Sequence, residues 1–199
     1  MKKKIVLGIT GSIAAYKSAE IASGLVRMGY DVQVVMTSNA AKFITPLTFE
    51  VLSKNKVYVD MFADEDHDKV THIALATESD LILIAPATYN IIGKAACGIA
   101  DDLLSAIIAA APMGKVVFAP AMNVNMYNNP VLTENRRKLA ECGTLFIEPE
   151  EGMLACGVKA KGRLRNVPAI IDAVEVILAE KPLKGLKVMI TAGATREYI

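Results

Sequence analysis

Apolar residues fall in short unbroken runs separated by stretches with helical spacing. The runs are KIVLGI at 4–9, DVQVVM at 31–36, DLILIA at 80–85, KVVFA at 115–119 and a weaker TLFI at 144–147. Runs this short, rich in Val, Ile and Leu, predict strands buried on both faces. After the first run, Ile13, Tyr16, Lys17, Ile21, Leu25 and Met28 keep the spacing of a helix that stops at Gly29. Strand and helix in alternation predict right-handed βαβ crossovers. The expected fold is therefore α/β, a Rossmann-like open parallel sheet with helices on both faces. Composition agrees: 53% of residues are apolar while Trp is absent, so the interior must be aliphatic.

Ligands of such sheets bind beyond the carboxyl ends of the strands, so the residues just after each run are the first candidates for a site. Thr10-Gly11-Ser12 follows the first run, Thr37-Ser38-Asn39 the second, Pro86-Ala87-Thr88-Tyr89-Asn90 the third and Pro120-Ala121-Met122-Asn123 the fourth. Small hydroxyl and amide residues in these places serve as helix N-caps. Four such ends along one edge also suit a phosphate-bearing, largely uncharged planar ligand, a nucleotide or a flavin. The pair Gly8 and Gly11 lacks the third glycine of a dinucleotide fingerprint, and no acidic residue ends the second run, which makes NAD the weaker option. What survives is a turn at Gly11 that lets the N–H groups of Ser12 and Ile13 face a phosphate at a helix start.

A formal net charge of +1 with scattered Lys and Arg gives no basic stripe for nucleic acid and no polybasic segment for an anionic membrane. The longest uncharged apolar stretch, 103–113, is about half of the ~20 residues a membrane helix needs. The opening MKKKIVLGITGSIAAYK imitates a secretion signal, but its apolar run breaks at the Gly8–Ser12 turn. Cys97, Cys142 and Cys156 are odd in number and lack CxxC spacing, so neither a disulfide framework nor a zinc site is expected, and a reducing cytoplasm fits. Cys97 and Cys142, amid Ala and Leu in or at the end of helical stretches, read as structural. Near the end, EKPLKG at 180–185 reads as a linker, and LKVMIT at 186–191 repeats the opening design of strand and glycine turn. The division expected is one domain over 1–181, followed by a linker and the start of a second domain over 182–199, as in a fragment of a longer polypeptide.

Three residues stand out as chemistry. His72, one of two histidines, moves from the charged run around His67 toward the apolar Ile73-Ala74-Leu75 and is placed for proton transfer; His67 is simply solvated. Asn123 caps a short helix and could also donate to a substrate carboxylate without adding charge, which matters if that carboxylate must leave as neutral CO₂. Cys156 lies among Gly152, Gly157 and Gly162, with Lys159, Lys161, Arg163 and Arg165 nearby. Such a stretch reads as a flap over an active site, and its positive charge suits a reactive thiol and an anionic substrate.

GITGSIAAYK (8–17), the stretch carrying His72, APATYNIIGKAACGIADDLLS (85–105), PAMNVNMY (120–127) and GMLACG with KGRL (152–164), taken together and in order, resemble the flavin-containing cysteine decarboxylases. Within that family the likeness is strongest to those acting on 4′-phosphopantothenoylcysteine in coenzyme A biosynthesis. It covers about 3–178, and KVMITAGATRE (187–197) resembles the opening of a phosphopantothenate–cysteine ligase domain. The resemblance implies a three-layer α/β/α flavoprotein with FMN held by Gly11, Ser12, Ile13, Ser38, Thr88, Tyr89, Asn90, Ile91 and Ala121. It implies His72 as catalytic acid/base, Asn123 as the partner of the substrate carboxylate, Met153, Leu154 and Ala155 as flap lining, and Cys156 as proton donor, with no metal. It further implies homotrimers, also assembled into dodecamers, with the flavin site at a subunit interface and His72 contributed across it. A peptidyl-cysteine decarboxylase and a non-catalytic flavin-binding regulatory subunit are the alternatives; the ligase-like tail argues against the first, and the joint presence of His72 and Cys156 against the second. A flavin prenyltransferase is disfavoured by the PAMN and LACG blocks. Three positions depart from the family pattern: Tyr127 where many relatives have Trp, Thr88-Tyr89-Asn90 in place of Ser-Ala-Asn or Thr-Ala-Asn, and Ala160 where Gly is frequent.

Overall fold

In the computed structural model, which describes residues 2–62, 71–153, 159–182, 185–191 and 193, the apolar runs become one sheet. Strands β1 (Lys4–Ile9), β2 (Asp31–Met36), β3 (Leu81–Ala87), β4 (Val116–Pro120) and β5 (Leu145–Phe146) lie in the order β2-β1-β3-β4-β5. Every neighbouring pair is parallel. β3 and β4 start one residue later than expected and run through Pro86 and to Pro120, where Ala87 still pairs with Pro120 after a register shift. β5 shrinks to two residues because it is the edge, with a single neighbour to hold it.

Helices α1 (Lys17–Arg27), α2 (Pro46–Ser53), α3 (Thr71–Glu78), α4 (Tyr89–Cys97), α5 (Leu103–Ala110), α6 (Val124–Tyr127), α7 (Pro130–Glu141) and α8 (Val167–Leu178) fill the connections. Strand residues alternate between two apolar layers, as the pleat requires. Ile5, Leu7 and Ile9 of β1, with Leu81 and Leu83 of β3, join Ile21 and Leu25 of α1 and Ile170 and Val174 of α8. Val6 of β1, with Ile82 and Ile84 of β3, joins Ile91, Leu104, Ile107 and Leu132 on the other face. Continuous Val/Ile/Leu runs were therefore needed, because both faces are covered. The first helical stretch departs from the expected rhythm: Ile13–Tyr16 winds as a 3-10 turn before α1, and Ile13 and Tyr16 are exposed.

Two expectations need correction. Residues 186–191 form no strand, and Leu186, Val188, Met189 and Ile190 are exposed. An apolar run becomes a strand only with a neighbour to accept its ladder of hydrogen bonds, and here none of the described strands pairs with it. Cys97 and Cys142 do stand at helix ends, but both are exposed thiols rather than core residues. A helix terminus at the sheet rim faces solvent whatever its apolar neighbours.

The stretch expected as a flap contains β6 (Glu150–Met153) and β7 (Lys159–Arg163), an antiparallel pair separate from the main sheet. Leu154, Ala155 and Cys156 lie outside the described residues, as does His67. No helix among the described residues is long and apolar enough to cross a membrane.

Candidate functional site

The sheet order reverses between β1 and β3, so the crossovers after these strands leave in opposite directions and open a crevice at their carboxyl ends. Hydroxyl groups close its floor. Thr10 Oγ1 donates to the Pro86 carbonyl (2.7 Å) and accepts from the Thr88 amide (3.1 Å), which ties the end of β1 to the end of β3. Ser18 Oγ donates to the Ala85 carbonyl (2.8 Å), and the Ala121 amide donates to the Ala87 carbonyl (3.0 Å).

Above this floor lies a cleft of about 450 Å³ lined by Thr10, Gly11, Thr37, Ser38, Asn39, Thr88, Tyr89, Asn90, Ile91, Lys94, Asp102 and Met126. Gly11 is required by close approach: a Cβ there would stand 2.6 Å from Asn39 Cβ, so a side chain would wedge the first two loops apart. Thr88 is the N-cap of α4, and the amides of Tyr89, Asn90 and Ile91 occupy its first turn, where no carbonyl one turn earlier can accept from them. Such amides, with the helix dipole behind them, suit an anionic oxygen.

Of the residues expected to hold a cofactor, Gly11, Ser38, Thr88, Tyr89, Asn90 and Ile91 line this cleft, while Ser12, Ile13 and Ala121 do not. The Ser12 amide instead closes a tight turn onto the Thr10 carbonyl (2.8 Å), and its Oγ accepts from the Ala14 amide (3.2 Å). The Ser12 N–H thus has a local acceptor in the Thr10 carbonyl. Ala121 is buried at the end of β4.

The cleft's charged residues cancel one another. Lys94 Nζ lies 2.5 Å from Asp101 Oδ1 and 2.7 Å from Asp102 Oδ2. Burial opposes the Lys94 ammonium, but the two carboxylates more than offset it and hold its pKa above the ordinary lysine value. Burial likewise opposes the Asp102 carboxylate, yet the bonds from Lys94 and Ser105 leave its pKa below the usual range. Asp102 and Ser105 form a capping box at the start of α5, the signal that sequence reading could have used and did not. Asp102→Ala is expected to cost about 1 kcal/mol or somewhat more through the lost cap. Because the folded-state pKa of Asp102 is depressed, its contribution is complete above the unfolded value and vanishes as pH falls through the folded one. The difference in melting temperature between wild type and Asp102→Ala should therefore be greatest near neutral pH and shrink below about pH 4.

Asn123 begins α6, whose Met126 lines the cleft, and its Oδ1 caps the helix by accepting from the Asn125 amide (2.8 Å). The Met122 amide donates to the Gly162 carbonyl of β7 (3.0 Å), so the hairpin root is fastened to the residue before Asn123. Lys17 at the start of α1 has its pKa lowered first by burial and then by the charge of Arg163 on β7, with Glu150 and Glu20 acting in the opposite direction. His72 sits half-buried on α3 and does not line the cleft; one chain does not bring it there. Sequence reading also missed a cluster below the hairpin, formed by Tyr127, Arg136, Glu148 and Lys161.

The sequence profile of the flavoprotein family matches residues 1–178. The chain belongs to the flavoprotein family. This flavoprotein is 50% identical over 198 residues to the coenzyme A biosynthesis bifunctional protein CoaBC of Borreliella burgdorferi, covering 99% of this chain and 50% of that protein. It spans about half the length of such bifunctional relatives. It is 43% identical over 176 residues to a probable phosphopantothenoylcysteine decarboxylase of Streptococcus mutans, covering 88% of this chain and 98% of that one. Among solved structures, a PPC decarboxylase mutant complexed with pantothenoylaminoethenethiol superposes with a TM-score of 0.82 at 30% identity, covering 88% of this chain and 98% of the other. The cofactor of a flavoprotein is a flavin, and the cleft fits one. It offers uncharged hydroxyl and amide groups, a close approach kept open by Gly11, and the first-turn amides of α4.

Proposed function

We infer that this chain binds FMN in the cleft at the β1–β3 switch point and decarboxylates 4′-phosphopantothenoylcysteine to 4′-phosphopantetheine, a step of coenzyme A biosynthesis. The observation that carries this reading is the near end-to-end match to the Streptococcus mutans relative, 98% of which is covered. Gly11, Ser38 and Thr88 to Ile91 would hold the flavin; Ser12, Ile13 and Ala121, which the resemblance also assigns to it, lie outside the lining of the cleft.

The chemistry explains why these residue types are needed. A cysteinyl carboxylate has no electron sink, so losing CO₂ directly would leave an unstabilised carbanion. When bound, the flavin would supply a two-electron acceptor for the thiol end and would return the same two electrons once CO₂ has left, so that the saturated thiol forms with no net oxidation; in between, a thioaldehyde β to the carboxylate takes up the electrons of the breaking bond. Asn123 binds the carboxylate with a neutral donor; a Lys or Arg there would stabilise the ground state and oppose its loss. Met153, Leu154 and Ala155 line the flap, and Cys156 protonates the enethiolate. His72 acts as acid/base on a neighbouring subunit's site, which accounts for its distance from this chain's own cleft. That role requires a homo-oligomer, and the family resemblance makes it a trimer that can build a dodecamer.

The same reading divides the chain into a decarboxylase domain over 1–181 and, over 182–199, a linker and the start of a ligase domain; a cytoplasmic location accompanies it. A visible spectrum of the purified protein and mass analysis of its products from 4′-phosphopantothenoylcysteine test it. A yellow protein that releases CO₂ and forms 4′-phosphopantetheine supports the reading. A yellow protein inert toward this substrate, or a colourless one that FMN does not reconstitute, overturns it.

A further inference from the structure

We propose that Glu148 is a positioning residue that acts through Asn123, by bracing the short helix that Asn123 begins. The inference rests on the function proposed above. Helix α6 spans only Val124–Tyr127, far too short to hold its shape by its own hydrogen bonds. Its direction must be set from outside. Asn123 stands at one end, and at the other Tyr127 is buried to 7% exposure, its hydroxyl reaching out of the apolar layer.

Glu148 meets that hydroxyl. It comes just after the edge of the sheet, where the Ile147 amide still donates to the Phe118 carbonyl (2.8 Å), so its backbone is fixed by the main sheet rather than by the hairpin. Tyr127 Oη donates to Glu148 Oε2 at 2.5 Å and accepts from Arg136 Nη1 at 3.0 Å. Arg136 of α7 also pairs with Glu148 Oε1, and Lys161 Nζ of β7 lies 3.1 Å from Oε2. The two cations flank the same ring, with the Arg136 guanidinium 5.3 Å and the Lys161 ammonium 5.5 Å from the Tyr127 centroid. One carboxylate therefore collects donors from α6, α7 and β7.

Without it, Arg136 and Lys161 face each other across Tyr127 with no counter-charge between them, and mutual repulsion pushes α7 and β7, which flank the end of α6, apart. The Met122–Gly162 bond couples that motion to Asn123. Glu148 does not line the cleft, so it acts on the substrate only through what it positions. A group displaced by about 1 Å at a reacting centre can lose about 10²-fold in rate, so a partial displacement has a visible effect.

The test is a double-mutant cycle in the full chain with flavin bound, following CO₂ release from 4′-phosphopantothenoylcysteine. Glu148→Ala is expected to lower kcat about tenfold with KM changed less than about twofold and flavin absorbance per chain unchanged. In an Asn123→Asp background the same substitution should change the rate by less than about threefold, because a misplaced Asn123 can only be lost once. Equal losses in the two backgrounds, or no loss in wild type, overturn the proposal. Should Glu148→Ala lose its flavin, Tyr127→Phe, which removes one hydroxyl and keeps the ring, decides by the same criterion. Wild-type protein that releases no CO₂ would instead overturn the proposed function, and this inference with it.

Discussion

Asn123→Asp should reduce CO₂ release by about 10²- to 10³-fold, the loss seen when a single well-aimed donor is removed from a reacting site. The substitution is chosen because it separates the two roles of this side chain. As an N-cap, Asn123 accepts from the Asn125 amide through Oδ1, and an aspartate oxygen does this equally well. The fold, the melting temperature and the flavin content should therefore be unaltered. As the partner of a substrate carboxylate the side chain must donate, and the amide Nδ2 is its only donor. Aspartate offers acceptors alone and sets one carboxylate against another, which raises the energy of the bound complex before reaction begins. Asn123→Ala blurs the distinction, since it also loses the cap at about 1 kcal/mol. The measurements are kcat and KM for CO₂ release beside a thermal melt and a flavin spectrum. Activity within about threefold of wild type in a folded, flavin-loaded Asn123→Asp protein would move the carboxylate's partner elsewhere.

How much of this arrangement the sequence discloses depends on how locally each feature is encoded. β1 to β4 are legible because both faces are covered and every position along the run is apolar or nearly so. β6 and β7 are not, because EEGM and KAKGR form a two-stranded hairpin outside the main sheet, and nothing but glycine spacing marks them. The apolar stretch at 186–191 errs in the opposite direction: it has the composition of a strand and no neighbour among the described strands. Cys97 and Cys142 show that apolar neighbours in sequence do not determine which way a helix end faces. In the cleft, the strand-end residues Gly11, Ser38 and Thr88 could be found because the switch-point rule says where to look. The Tyr127 hydroxyl could not be interpreted. Read as an aromatic exchange for Trp, it is conservative; in the fold it joins Arg136, Glu148 and Lys161, three residues with no common spacing that meet only through tertiary structure.

Gly162→Ala is expected to destabilise the protein by roughly 2–4 kcal/mol, combining a backbone conformation that costs an L-residue about 1–2 kcal/mol with a clash against fixed backbone. Gly162 has φ of +146°, and a Cβ there would stand 2.5 Å from the Met122 carbonyl oxygen. The obstacle is main chain, so no rotamer change relieves it. Relief requires that β7 and residue 122 separate, which breaks the bond from the Met122 amide to the Gly162 carbonyl. At about 2–4 °C per kcal/mol for a chain of this size, the melting temperature should fall by roughly 5–15 °C. Activity should fall at least tenfold even below the transition, because the strand that moves is fastened beside Asn123. Gly152→Ala is the matched control: its Cβ would meet Arg163 Cδ at 2.8 Å and Nη1 at 3.1 Å, the outer part of a long side chain that can swing aside. That variant should melt within about 2 °C of wild type. If Gly162→Ala melts with the control and keeps its rate, the hairpin root is not held against the Asn123 loop in solution, and the bracing assigned to Glu148 loses its route to the substrate.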